Sequence, residues 1–186
     1  PGCRIIVVDD GLPREALADL PLELVSGVKP FVFARNCNLG IEHARRQIDV
    51  TTFSDKEQQF IPGPYSDVIL LNDDAMLETP GGFTALSEAA KAHPNYGVIA
   101  AASNNTGNPN QALKGQGLRD EARMVCFTCV YIPARTLEKV GLLDEDFTGY
   151  GFDDDSYCFR VRDAGLKLGI FDGCVIDHKR LHSSYR

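Results

Sequence analysis

Residues 67–77 read DVILLNDDAML. The four apolar residues Val68, Ile69, Leu70 and Leu71 fit a strand buried on both faces. The run stops abruptly at Asn72, Asp73 and Asp74. Withdrawing a carboxylate from water costs several kcal/mol unless it is paired or bound to a metal. Two adjacent carboxylates at the exit of a buried strand therefore point to a cation site or a strong polar network. In open α/β sheets, ligands gather at the carboxyl ends of strands, which is where this pair falls.

The surrounding composition bounds what such a site can serve. The chain has 186 residues, 44% hydrophobic and 24% charged, enough for one globular domain with a sizeable core, 1–186. Its net charge of −7 argues against non-specific nucleic-acid binding. No apolar run is long enough to cross a bilayer, and no signal peptide is visible. Oligomeric state is not legible.

Six cysteines are present: Cys3, Cys37, Cys126, Cys129, Cys158 and Cys174. Cys126 and Cys129 form a CxxC inside MVCFTCVYI, which reads as a buried strand. Positions three apart on a strand face opposite sides, which is poor geometry for shared ligation. Free core thiols in a reducing, cytoplasmic compartment are the expectation.

Outward from the opening stretch, strands are expected at residues 4–8, 30–34, 67–71, 97–101, 124–132, 167–171 and 174–176. Helices are expected at 13–20, 38–46, 80–92, 134–140 and 153–164, with Thr79 capping the third of them. Residues 51–66 are polar and without a clear period, and residues 103–117, rich in Asn, Gly, Pro and Gln, read as a mobile loop. Strands alternating with helices imply an α/β fold with a mainly parallel central sheet and helices on both faces.

Polar groups recur where strands end or helices begin. Asp9 and Asp10 close the first strand, Asp73 and Asp74 the central one, and His178 follows the last. Asp153, Asp154 and Asp155 open a late helix after Gly149, Tyr150 and Gly151. Each alone is more often a turn, a helix cap or a surface residue. Their order together carries more weight.

That order resembles the large inverting family 2 of GT-A-fold glycosyltransferases. The family's nucleotide strand ends in a motif like IIVVDDGS, and residues 5–12 read IIVVDDGL. A segment like ARNxGIxxA is similar to ARNCNLGIEHA at 34–44. The DXD-type metal motif, written fLnDDd, matches LLNDDAM at 70–76. The pattern vGlfDExF matches VGLLDEDF at 140–147, and the EDxD helix matches YGFDDDSYCFR at 150–160. RxxxAGxxL continues through Arg160, Ala164, Gly165 and Leu168, and a final strand ends in VIDH at 175–178.

The resemblance implies a GT-A, nucleotide-diphospho-sugar transferase fold, a Rossmann-like sandwich. It implies metal-dependent, inverting transfer of a sugar from a nucleotide-diphosphate donor to a saccharide or other hydroxyl acceptor. Asp10, with Asp9 beside it, would bind the base or ribose of the nucleotide, and Arg35 would contact the donor. Asp74 and His178 would hold Mn²⁺ or Mg²⁺ against the diphosphate, with Asp73 near the donor's ribose or sugar. Asp154 would be the catalytic base, its pKa raised by its acidic neighbours, and Asp153 the second choice.

Three features depart from the family pattern. The chain begins one strand later, Ser156 stands where EDxD has its last acid, and residues 51–66 are longer than the usual link. Two alternatives stand beside the transferase: a metal-dependent nucleotidyltransferase, and a non-catalytic sugar- or Ca²⁺-binding module on a degenerate transferase fold.

Overall fold

The computed structural model describes residues 3–9, 11, 17, 19–48, 60–147 and 151–178. The chain divides into two compact units, Pro1–Ser66 with Leu142–Asp153, and Asp67–Gly141 with Asp154–Arg186.

In the first unit, β1 (Ile6–Asp9) pairs in parallel with β2 (Glu23–Ser26). Helix α1 (Phe33–Ala44) packs on β1. Gly40 permits the approach, because a Cβ there would lie 3.2 Å from Val8 Cγ2. A short antiparallel pair, β3 (Arg46–Ile48) and β4 (Phe60–Pro62), completes the unit. The strand expected at 30–34 is thus an extended lead-in followed by helix. A short apolar run such as FVFA does not distinguish strand from buried helix by period alone. Most of the helix expected at 13–20 and most of the segment 51–66 lie outside the described residues.

The second unit is built on six strands. These are β5 (Val68–Leu71), β6 (Met76–Leu77), β7 (Tyr96–Ser103), β8 (Leu118–Glu121), β9 (Cys129–Ile132) and β10 (Lys167–Asp177). Their order is β5-β9-β7-β10-β6, with β8 also on β10. Helices α2 (Gly82–Ala92), α3 (Ala134–Val140) and α4 (Asp153–Asp163) accompany them. Among the described residues of this sheet the β7–β10 pairing alone is parallel, and β9 runs antiparallel to both β5 and β7. Strands β5, β7 and β10 therefore point the same way, as strand–helix alternation dictates. The expected mainly parallel sheet is corrected by its neighbours: β9 fills the gap between β5 and β7 in the opposite sense, and β6 and β8 join β10 antiparallel.

The opening stretch is also corrected. β5 is a terminal strand of this sheet, with Val68 to Leu70 half-buried and Leu71 43% exposed. The strands buried along their whole length are β7, all eight residues of it, and β9, all four. On one face Ile99 and Ala101 of β7 pack with Leu86 and Ala90 of α2, Cys129 and Tyr131 of β9, and Cys174 and Ile176 of β10. Near the start of β7, Gly97 abuts α4: a Cβ there would lie 2.6 Å from Val161 Cγ1.

Four further local expectations change. The strand forecast for 124–132 begins only at Cys129, because the preceding backbone is bonded elsewhere. Met124 O accepts from Asn108 Nδ2, Val125 N donates to Cys158 Sγ, and Cys126 N and O bond the Gln111 side chain. The loop 103–117 is not loose: Asn108 and Gln111 are buried and fully engaged in those bonds. Thr79 does not cap α2; its hydroxyl accepts from Val175 N, and Gly81 at φ +72° takes the N-cap place. Strands 167–171 and 174–176 are one strand with an irregularity between Phe171 and Val175.

The described cysteines are all free, as expected. Cys129 pairs with Cys174 rather than with Cys126, and their shared hydrogen bond together with burial pushes the Cys129 thiol upward. Among the described residues, no helix is long and apolar enough to cross a membrane.

Candidate functional site

The co-directional strands β5, β7 and β10 deliver their carboxyl ends to one edge of the sheet. Register fixes this: Leu71 lies opposite Cys129, Ser103 opposite Ile176, and Asp177 opposite Met76. Beyond those rungs come Asn72, Asp73 and Asp74 from β5, Asn104 and Asn105 from β7, and His178 from β10.

A turn after β5 sets the acidic pair. Asn72 N donates to Thr128 O at 3.0 Å, Ala75 N to Asn72 O at 3.2 Å, and Ala75 is buried. Between these anchors Asp73 is exposed and Asp74 half-buried. The two acids separate, as their alternating environments suggest: Asp74 Oδ1 stands 2.9 Å from His178 Nε2.

His178 is buried, with its side chain 5% exposed. Its Nδ1 lies 2.7 Å from the Asn105 carbonyl oxygen. That oxygen can only accept, so Nδ1 carries the hydrogen and donates. The other nitrogen is thereby turned to Asp74. A histidine whose Nδ1–H is held by a carbonyl is the usual arrangement behind a metal-ligating Nε2.

A carboxylate oxygen with an imidazole nitrogen could hold a first-row divalent ion such as Mn²⁺. Two ligands each about 2.1 Å from a six-coordinate ion, at right angles to one another, stand about 3.0 Å apart. The observed 2.9 Å between Asp74 Oδ1 and His178 Nε2 matches such an edge. Among the described residues, no group of three or more His, Cys, Asp or Glu forms a complete cage. Mg²⁺-type sites commonly take one or two protein ligands and complete their shell with water and substrate phosphate.

Asp154 stands in the first turn of α4, in the same unit. Its carboxyl is half-buried and accepts from the backbone N–H of Asp155 at 3.0 Å and of Phe127. Burial pushes its pKa up, Asp155 adding repulsion. The expected cause was repulsion from both neighbours; burial is the larger one, and Asp155 supplies the repulsion. Through Phe127, Asp154 borders Thr128, the residue that anchors Asn72.

In the first unit, Asp9 ends β1. Its Oδ1 accepts from Gly11 N at 3.1 Å and its carbonyl from Gly27 N at 2.7 Å, so it shapes the turn after the strand. Asp10 lies outside the described residues. Arg35 Nε donates to Glu145 Oε2 at 3.1 Å. Asn38, buried on the same helix, bonds Leu143 N and O and Glu145 Oε1, clamping that segment to α1. Asp153 is buried; its charge joins desolvation in raising the Cys37 thiol to about 12. Phe152, just before it, holds φ +72° and is 68% exposed, a costly backbone for a bulky residue.

Sequence reasoning missed Asn104, Asn105, Asn38 and Glu145. Asn104 and Asn105 fall in the stretch 103–117 read as a mobile loop. The available signal was two consecutive amides immediately after a buried β-run, at the same edge as the acidic pair.

No protein-family model and no curated protein matches the sequence. Solved structures do match the fold. One is "Crystal structure of GalNAc-T7 with UDP, GalNAc and Mn2+", at TM-score 0.67 and 12% identity. The likeness covers 96% of this chain and 38% of that one. The chain thus has an α/β fold similar to a GT-A glycosyltransferase, and it spans well under half the length of that structure.

Proposed function

We propose that residues 1–186 form a catalytic domain of the GT-A type, similar to family 2. It would transfer a sugar from a nucleotide-diphosphate donor to an acceptor hydroxyl, with inversion and with Mn²⁺ or Mg²⁺. The observation that carries this reading is the Asp74–His178 pair, 2.9 Å apart at the carboxyl edge of a sheet whose fold resembles a glycosyltransferase.

Asp74 and His178 would hold the divalent ion, which when bound neutralises charge developing on the diphosphate leaving group. Asp73, exposed on the same turn, would face the donor's ribose or sugar. Asp9, Asp10 and Arg35 would serve the nucleotide. Asp9 shapes the turn in question, and Arg35 holds Glu145 through Nε alone.

Asp154 would take the proton of the acceptor hydroxyl during attack. A base is most effective when its pKa lies near the working pH, and burial moves Asp154 in that direction. Asp153 is the weaker candidate, because a buried carboxylate cannot meet an acceptor arriving from water. One carboxylate opposite the leaving group suffices for single displacement and hence inversion.

A donor screen tests the reading. Nucleotide sugars are added with Mn²⁺ and thermal unfolding is followed, since a ligand that binds only the folded state raises apparent stability. At least one nucleotide sugar is expected to raise Tm more with Mn²⁺ than without. No metal-dependent shift from any would refute it.

A further inference from the structure

The β7–β10 ladder ends at Ser103 and Ile176, yet the two chains stay bonded for two residues more. Asn104 Oδ1 accepts from His178 N at 2.9 Å, and Asn104 Nδ2 donates to Asp177 Oδ1 at 2.6 Å. Asn105 Nδ2 donates to His178 O at 3.0 Å, and the Asn105 carbonyl accepts from His178 Nδ1 at 2.7 Å. Side-chain amides thus continue the ladder where backbone pairing has stopped. Asparagine is suited to the task because one short side chain carries both a donor and an acceptor. Both backbone groups of His178 and its Nδ1 are bonded to these two residues.

The base beneath them is firm. Thr106 Oγ1 donates to Asn108 O, Asn108 Nδ2 donates to Met124 O, and the buried Gln111 amide donates to Ala101 O and Cys126 O. The clamp is therefore attached to the core of its unit.

We propose that Asn104 and Asn105 are positioning residues that fix the His178 ring with its hydrogen on Nδ1 and Nε2 turned to Asp74, so that the cation pair is preformed. The cation part rests on the metal reading above; the fixed ring does not. Partners of this kind behind a metal-ligating histidine typically change metal affinity 10- to 100-fold.

The test uses Asn105→Ala and the double variant Asn104→Ala/Asn105→Ala, with two readouts. In the metal-free protein, long-range ¹H–¹⁵N spectra report the His178 Nδ1–H. It is expected as a slowly exchanging resonance in the wild type. The residue-105 carbonyl that accepts it is backbone and remains in the double variant. Without the two amides holding that carbonyl to the His178 backbone, the hydrogen should exchange rapidly and the slow resonance be lost. Calorimetry with Mn²⁺ alone is expected to show affinity falling about 10- to 100-fold in the double variant and by less in Asn105→Ala. If the double variant does not fold, Asn105→Ala decides: faster exchange of the Nδ1–H with a fall in Mn²⁺ affinity of more than about twofold supports the proposal. A retained Nδ1–H resonance with Mn²⁺ affinity within about twofold of the wild type would overturn the proposal. If the wild type itself binds no Mn²⁺, the metal reading fails, and the Nδ1–H resonance alone decides the clamp.

Discussion

Asp172→Ala offers a demanding test of how the second unit holds the loop behind the candidate site. Asp172 sits in the irregular part of β10, its side chain 4% exposed. Its Oδ1 accepts from Arg119 Nη2 at 2.9 Å, and Oδ2 from the backbone N–H of Gln116 at 2.8 Å and Lys114 at 3.3 Å. Arg119, 13% exposed, also donates to the carbonyls of Asn110 and Ala112. Burial alone would raise the Asp172 pKa. Arg119 and the backbone donors outweigh it and hold the carboxyl below its ordinary range. Removing the carboxylate strands the largely buried Arg119 guanidinium, at a cost of about 3–5 kcal/mol, while the N–H groups of the exposed Lys114 and Gln116 return to water. For a chain of this size, each kcal/mol moves Tm by about 2–4 °C, so circular dichroism should show a fall on the order of 6–20 °C at pH 7. The pH dependence has a definite sign. A carboxyl with a lowered folded-state pKa contributes stability above its unfolded value of about 3.9 and loses it as pH falls through the folded value. The gap between wild type and Asp172→Asn should therefore narrow in acid. A Tm within about 2 °C of wild type for Asp172→Ala, or a gap that widens on acidification, would refute the reasoning.

Three further outcomes follow from the packing and from the proposed base. Gly97→Ala places a methyl 2.6 Å from Val161 Cγ1 and 3.0 Å from Leu166 Cβ, so denaturant unfolding should show a loss of about 1–3 kcal/mol; no loss would mean that α4 and β7 are not packed as described. Asp154→Asn should lower transfer about 10²–10⁴-fold while leaving Mn²⁺-dependent donor binding intact, and near-normal turnover would exclude it as the base. Because its folded pKa is raised, the Asp154 contribution to stability is present in acid and lost as pH rises through that pKa. Asp154→Asn should therefore stabilise the fold at neutral pH and make no difference below about pH 4, as thermal unfolding across pH will report.

Elements with a strong period were legible in the sequence. The helices read at 80–92, 134–140 and 153–164 are α2, α3 and α4 to within a few residues, and the strand read at 67–71 is β5. Burial was the harder inference. Val68 to Leu71 looks more apolar than Ala100, Ala101 and Ala102, yet the alanines are covered on both faces and Leu71 is not. Position within the sheet, not composition, decides that. Strand β8, LRDE, was invisible because half of it is acidic and it joins the sheet through β10 alone. Residues 103–117 misled for a related reason: Asn and Gln suggest a solvated loop, but Asn108 and Gln111 spend their amides on buried backbone groups. At the site, the acids and the terminal histidine were visible as residue types at strand ends. What makes Asp74 differ from Asp73 is the turn between Asn72 and Ala75, and the Asn105 carbonyl behind His178 has no side-chain signature at all.

The central claim is tested most directly by titrating nucleotide sugars (UDP, GDP and TDP series) by calorimetry, with and without Mn²⁺, into the wild type, Asp74→Ala and His178→Ala. The pair standing 2.9 Å apart predicts that Mn²⁺ strengthens binding of at least one donor to the wild type and that either substitution removes this enhancement. Donor binding indifferent to Mn²⁺ in the wild type, or an enhancement undiminished in Asp74→Ala, would contradict it.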